Sequence, residues 1–311
     1  MPKKTLTIAT RESPLALWQA NYVKQLLIAK YPDLQVRLLG LTTQADDLLL
    51  NVPLYKVGGK GLFVKELEEA LLSGRADIAV HSMKDVPMTL PEGLILPVIL
   101  ARENPLDVFV SSRYLTLNAL PKNARIGTSS LRRQGQLLAQ HPSLQIEFLR
   151  GNVNSRLEKC ERGDFDAIIL AAAGLQRLGF THRIQSFFSA EEMLPAAGQG
   201  ALGIECHSEA VAIQELIAPL RDDITAACVI AERAVCRTLN AGCHAPVAAF
   251  AEHQNGEIFL RGRVVSRDGK ILLEATSRGT LAEVNELGMN VADDLLAKGA
   301  QTILDDHSEL K

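Results

Sequence analysis

Gly74-Arg75-Ala76-Asp77-Ile78-Ala79 and Gly163-Asp164-Phe165-Asp166-Ala167-Ile168 match in residue type. In each, a helix ends at glycine, an acidic residue follows and an apolar strand begins. Working outward from the first copy, residues 6–10 form a β-like run. Ser13 then offers an N-cap and Pro14 a first-turn residue for a helix to about residue 30. Its stripe of Leu15, Trp18, Tyr22 and Leu26 has helical spacing. Strands are expected at 34–41, 77–82 and 93–101, with a helix over 63–72. The second copy repeats this grammar, with strands at 125–127, 146–150 and 167–170 and helices at 131–140 and 153–162.

The pattern predicts two related α/β domains, the chain crossing near 101–105 and returning near 196–203. From about residue 222 it changes to a helix (224–239), three antiparallel-type strands (247–251, 257–266, 271–277) and a last helix (281–298). The expected organisation is therefore residues 1–100 with 200–219, residues 101–199, and a smaller α+β domain over 220–311.

Composition agrees with large buried cores. The chain has 311 residues, 47% hydrophobic and 22% charged, which excludes intrinsic disorder. Lys+Arg 33 against Asp+Glu 36 leaves a net charge of −3, so no global basic field recruits nucleic acid. The longest apolar run, 167–175, is too short for a membrane span, and no apolar signal segment is visible near the N-terminus. The five cysteines (Cys160, Cys206, Cys228, Cys236, Cys243) are scattered without C-x-x-C spacing, so neither disulfides nor a metal site is expected. The expected setting is the cytoplasm.

Candidate chemistry concentrates at few places. The junctions Thr10-Arg11-Glu12-Ser13 and Thr128-Ser129-Ser130 put hydroxyls and backbone N–H groups at helix N-termini, which suit an anion or serve as ordinary caps. Seven basic residues stand against three acidic ones over 125–162, a local excess that favours an anionic ligand or a solvated helix face. His81-Ser82-Met83-Lys84-Asp85-Val86-Pro87 closes a strand, where ligands of open α/β sheets gather. An aspartate beside a lysine there offers a fixed negative charge for a developing cation, or a plain surface ion pair.

Gly198-Gln199-Gly200-Ala201-Leu202-Gly203 satisfies G-x-G-x-x-G but precedes a strand, so the dinucleotide reading fails. Gly58-Gly59-Lys60-Gly61 lacks Walker spacing. Cys243, in the Gly/Pro-bounded loop Ala241-Gly242-Cys243-His244-Ala245-Pro246, is either a structural thiol or an exposed nucleophile.

Taken together, the chain resembles the porphobilinogen deaminases. The resemblance rests on Ile8-Ala9-Thr10-Arg11-Glu12-Ser13-Pro14-Leu15-Ala16, Val57-Gly58-Gly59-Lys60-Gly61-Leu62-Phe63, Ala79-Val80-His81-Ser82-Met83-Lys84-Asp85-Val86-Pro87, Gly127-Thr128-Ser129-Ser130-Leu131-Arg132-Arg133, Arg150-Gly151-Asn152-Val153, Gly198-Gln199-Gly200 and Gly242-Cys243 with Pro246, all in one order. It implies two domains like the halves of a two-domain binding protein plus the smaller third. It also implies a dipyrromethane cofactor joined to Cys243 by a thioether. The implied reaction deaminates and condenses four porphobilinogen molecules on that primer and releases hydroxymethylbilane.

By the same resemblance Asp85 is the catalytic carboxylate. Arg11, Arg132, Arg133, Arg150, Arg156 and Arg177 are expected to bind acid groups, with Lys84. Ser13, Ser82, Thr128 and Ser130 are expected to add donors, with Gln199 in the return segment. Lys56 and Lys60 belong to a lid over 48–61, and the expected state is a monomer. Two departures from the family pattern are Thr43-Gln44-Ala45-Asp46-Asp47, where a basic residue, Gly and Asp commonly follow the threonine, and Ala241-Gly242-Cys243-His244, where Gly-Gly-Cys-Gln is common. The rivals are a non-catalytic anion-binding protein, which gives Cys243 no role, and a Cys-His transferase, which gives the arginines none.

Overall fold

The computed structural model describes residues 5–42, 64–242 and 245–308. Strand β1 (Thr5–Arg11) leads into α1 (Pro14–Lys30), and β2 (Gln35–Leu41) follows. The α1 start is as the sequence predicts: the Ser13 hydroxyl accepts from the Ala16 N–H and Pro14 occupies the first turn. After α2 (Lys65–Leu72) come β3 (Ile78–Ser82) and β4 (Leu94–Ile99).

The chain then crosses to a second sheet. Its elements are β5 (Asp107–Val110), β6 (Arg125–Gly127), α3 (Leu131–Gln140), β7 (Gln145–Glu147), α4 (Val153–Glu161), β8 (Ala167–Ala171), α5 (Ala172–Arg177) and β9 (Ser186–Phe187). It returns as β10 (Leu202–His207) and α6 (Val211–Ile217), and ends in α7 (Asp223–Thr238), β11 (Val247–Gln254), β12 (Glu257–Val265), β13 (Leu272–Gly279), α8 (Val284–Ala297) and α9 (Ala300–Ser308).

Two five-stranded mixed sheets and one three-stranded sheet result, ordered β2-β1-β3-β10-β4, β7-β6-β8-β5-β9 and β11-β12-β13. In the first, β1 runs parallel to β2 and β3, and β10 is antiparallel to β3 and β4. In the second, β6 is parallel to β7 and β8, and β5 is antiparallel to β8 and β9. Each sheet thus receives the antiparallel strand next to its central one, β10 or β5, from a crossing of the chain. Strands buried on both faces read as apolar runs, as in Val108-Phe109-Val110 and Ile168-Ile169-Leu170.

Several boundaries differ from the sequence expectation. The strand expected over 146–150 stops at Glu147, because the Leu149 carbonyl turns to accept the Ser129 hydroxyl. The helix expected over 281–298 is α8, and a further helix not expected, α9, follows it after Gly299, at φ +96° in the left-handed region that suits glycine. Strand β5 and helix α5 were not anticipated, since short apolar runs carry no periodicity of their own.

The glycine-rich return segment serves backbone crossing. A Cβ on Gly200 would sit 2.4 Å from the Glu103 carbonyl oxygen, and one on Gly198 2.7 Å from Met83 Cβ. Both have positive φ, +88° and +73°. At Gly200 the returning segment passes too close to the outgoing one for any side chain, and at Gly198 too close to the turn after β3.

Candidate active site

Strand β3 ends at Ser82, and a single turn of 3₁₀ helix (Met83–Asp85) follows. It is pinned from two sides. The Met83 N–H donates to the Ala201 carbonyl at 3.0 Å, and Arg233 of α7 donates to the Val86 and Pro87 carbonyls at 3.0 and 2.5 Å. Lys84 and Asp85 are thereby presented at the carboxyl end of the first sheet. Gln19 of α1 steadies Ser82 through Nε2···Oγ at 2.8 Å.

Facing them across the cleft is the N-terminal end of the second sheet's helices. Ser130 caps α3 by accepting from the Arg133 N–H, and Asn152 caps α4 by accepting from the Ser155 N–H. Between the two sheets lies a cavity of about 660 Å³. Among the described residues, six cations line it (Arg11, Lys84, Arg133, Arg150, Arg156, Arg177) against two carboxylates, Glu12 and Asp85. Ser13 and Ser82 also line it. Asp85 borders a second, smaller cavity as well, shared with His81 and Gln19.

Cations outnumber carboxylates among the described lining residues. All three nitrogens of the Arg150 guanidinium are buried without a hydrogen-bond partner, and the group lies 4.7 Å over the Phe148 ring. Burial pushes the Arg156 guanidinium down to about 10, with Arg133 adding to the shift and Asp85 opposing it. Burial likewise pushes the Lys84 ammonium down to about 8, against the attraction of Asp85. Lys84 is half-buried and lines the cavity. A guanidinium withdrawn from water without a partner, with further cations lining the same cavity, suits an anionic guest.

The structure separates the two neighbouring arginines of α3. Arg133 lines the cavity, whereas Arg132 is not among the lining residues. Arg132 donates to Asp107 Oδ2 at 2.7 Å and to the Leu194 carbonyl at 2.8 Å. Thr128, Ser130 and Gln199 are not lining residues either. Thr128 and Ser130 are engaged with backbone N–H groups of their own turn. Gln199 donates to the Pro105 carbonyl and to Asp107. Lys56, Lys60, Cys243 and His244 lie outside the described residues, as do positions 43–47.

Sequence reasoning missed Asp107, the buried counter-ion of Arg132 and Arg133, and gave no role to the cavity residues Asn152 and Ser155, while Glu12 and Ser129 belong to the two junctions it singled out. An aspartate opening the apolar run Val108-Phe109-Val110 was the available signal for the first, because a buried charge demands a partner.

A family model described as the porphobilinogen deaminase dipyromethane cofactor binding domain matches residues 6–215. The model for the porphobilinogen deaminase C-terminal domain matches residues 226–297. The chain belongs to the porphobilinogen deaminase family. Membership makes it a transferase of the hydroxymethylbilane synthase type, acting in tetrapyrrole biosynthesis.

Among solved structures, it is similar to the methionine-binding protein MetQ, with 13% identity over 72% of this chain and 92% of that one and a TM-score of 0.45. It is also similar to the periplasmic VFT2 domain of Bordetella pertussis BvgS, with 16% identity over 68% and 84% and a TM-score of 0.42. No described helix of this porphobilinogen deaminase family member is long and apolar enough to cross a membrane.

The residues present fit the cofactor for which the matched domain is named. A dipyrromethane carries several carboxylates, and the unpaired guanidinium of Arg150 with its neighbours Arg156 and Arg133 is a donor set for such groups.

Proposed function

We propose that the protein deaminates and condenses four porphobilinogen molecules head to tail on a dipyrromethane primer held by a thioether to Cys243, then frees linear hydroxymethylbilane by hydrolysis. The observation that carries this reading is the Asp85 carboxylate at the end of the first sheet, in a cavity lined by six cations among the described residues. When bound, the primer supplies a nucleophilic pyrrole carbon and its acid groups.

Asp85 Oδ atoms accept the pyrrole N–H of the incoming substrate and stabilise the cation left on that substrate as ammonia departs. One preorganised charge of this kind is typically worth about 3–4 kcal/mol of barrier. The same carboxylate holds the ring proton released on bond formation. Arg11, Arg133, Arg150, Arg156, Arg177 and Lys84 bind acetate and propionate groups, whose desolvation otherwise costs several kcal/mol each. Ser13 and Ser82 add hydroxyl donors at the cavity wall. Arg132, through Asp107, holds Arg133 in place and turns toward an acid group only if that pairing is exchanged. Thr128, Ser130 and Gln199 support the walls from behind, and Lys56 and Lys60 belong to the lid.

The reading takes residues 1–100 with 200–219 and residues 101–199 as two halves like those of a two-domain binding protein, and 220–311 as the domain carrying Cys243. The sheet memberships support this division. It takes the protein as a cytoplasmic monomer without nucleic-acid or membrane partners.

Intact mass of the denatured protein tests the reading. The expected result is an excess of two pyrrole units, lost in Cys243→Ser. An unmodified mass from protein that turns over porphobilinogen overturns it.

A further inference from the structure

Trp18 is the only tryptophan in the chain. It lies on α1, in the first sheet's half, and stacks on Tyr22 with ring centroids 5.3 Å apart and planes 11° from parallel. Its ring meets a cation from the other half: the Arg177 guanidinium carbon, at the end of α5, is 5.7 Å from the ring centroid. Arg177 Nη2 also donates to the Gly200 carbonyl of the return segment at 2.7 Å. Close by, the halves nearly touch, since a Cβ on Gly174 of α5 would lie 3.8 Å from Leu15 Cδ2 of α1. Arg177 lines the cavity and Trp18 does not.

We infer that Trp18 is a positioning residue for Arg177, its ring face holding the guanidinium edge toward the cavity across the junction of the two halves. The inference rests on the carboxylate-binding role proposed for Arg177. A guanidinium has five N–H donors, so an indole ring 5.7 Å from its carbon and one carbonyl at Nη2 restrict its position while leaving donors for an anion. Tyr22 backs the indole and limits its rotation. Because the ring belongs to one half and the cation to the other, the aim of Arg177 depends on how the halves are seated. Sliding the halves apart lengthens the ring–cation distance, and the attraction weakens beyond about 6 Å.

The test compares Trp18→Phe, which keeps an aromatic face, with Trp18→Leu, which keeps apolar bulk without one, in the full-length holoenzyme. Thermal melts accompany both, and Arg177→Leu is prepared alone and with Trp18→Leu. The expected result is a KM for porphobilinogen raised about threefold to tenfold in Trp18→Leu, with a smaller change in kcat and near-wild-type values in Trp18→Phe. The double variant should be no worse than Arg177→Leu, and Arg177→Leu should shift the emission of the lone tryptophan.

Equal impairment in Trp18→Phe and Trp18→Leu overturns the inference, as do additive effects in the double variant or an emission spectrum indifferent to Arg177. A raised KM in Arg177→Leu with wild-type KM in Trp18→Leu overturns the positioning role alone. An unchanged KM in Arg177→Leu removes the proposed ligand role of Arg177 and the inference with it.

Discussion

Asp107 Oδ1 accepts from Arg133 Nη2 at 2.7 Å and from Nε at 3.0 Å, while Oδ2 accepts from Arg132 at 2.7 Å. One fully buried carboxylate, reached by the first crossing of the chain, therefore serves both neighbouring arginines of α3. Gln199, on the return crossing, donates to the same carboxylate at 3.0 Å. The wall of the cavity is fastened at the point where the chain passes twice between its halves.

Replacing Asp107 by asparagine should be severe, because it leaves two buried guanidinium groups without a counter-ion. A loss of about 3–5 kcal/mol is expected for breaking such a pair, read as a lowered denaturant midpoint. Burial pushes the Asp107 carboxyl up, but Arg132 and Arg133 pull it down further, well below the usual carboxylate range. A carboxyl depressed in the folded state contributes stability that is complete at neutral pH and is lost as pH falls below about 4. The variant should show a shallower acid limb than the wild type, and equal midpoints would disprove the pairing's importance.

Lys84 makes the cavity sensitive to alkaline pH. With its ammonium pushed down to about 8, it loses charge while the arginines keep theirs. The KM for porphobilinogen should rise as pH climbs through that value, and Lys84→Arg should remove the limb, since guanidinium stays charged. On stability the sign is opposite. The folded state binds fewer protons than the unfolded one between about 8 and the ordinary lysine value, so this group alone favours folding more as pH rises across that window. A flat KM profile from pH 7 to 9 would rule out Lys84 as a binding cation.

Asp85→Asn keeps the side-chain shape and removes the charge. Asp85 is exposed, so the fold should hold to within about 0.5 kcal/mol. Turnover should fall about 10²–10³-fold. Near-normal hydroxymethylbilane formation by the folded variant would remove Asp85 from the chemistry.

Glu232 of α7 joins all three sheets' neighbourhoods. Its oxygens accept from Arg102 at 2.8 and 2.9 Å, from the Gly198 N–H at 2.7 Å and from the Ala251 N–H at 2.8 Å. Arg102 and Gly198 lie on the outgoing and returning segments, and Ala251 on β11. Glu232→Gln places an amide N–H₂ against these donors, and a cost of about 3–5 kcal/mol is expected. Differential scanning calorimetry reads it, and an unchanged melting profile would show that the segments are held elsewhere.

Much of this was legible in the chain itself. The capped start of α1 at Ser13-Pro14, the α3 and α4 starts at Ser130 and Asn152, and the alternation of helix and strand depend on neighbours a few residues apart. Strand β5 was not legible, because four apolar residues lie equally well in a strand or a buried helix until another strand pairs with them. The two copies of the helix–Gly–acid–strand pattern do end as equivalent strands, β3 and β8, each central in its own sheet.

The sequence by itself determined the family and the succession of elements, since motifs and caps are written in contiguous residues. Only the tertiary structure decided what each arginine does. Arg132 and Arg133 are adjacent in the chain, but successive side chains on a helix point about 100° apart. The partner that claims both, Asp107, stands twenty-five positions earlier. Charge placement of that kind depends on how sheets and crossings pack, and a local pattern of residues does not encode it.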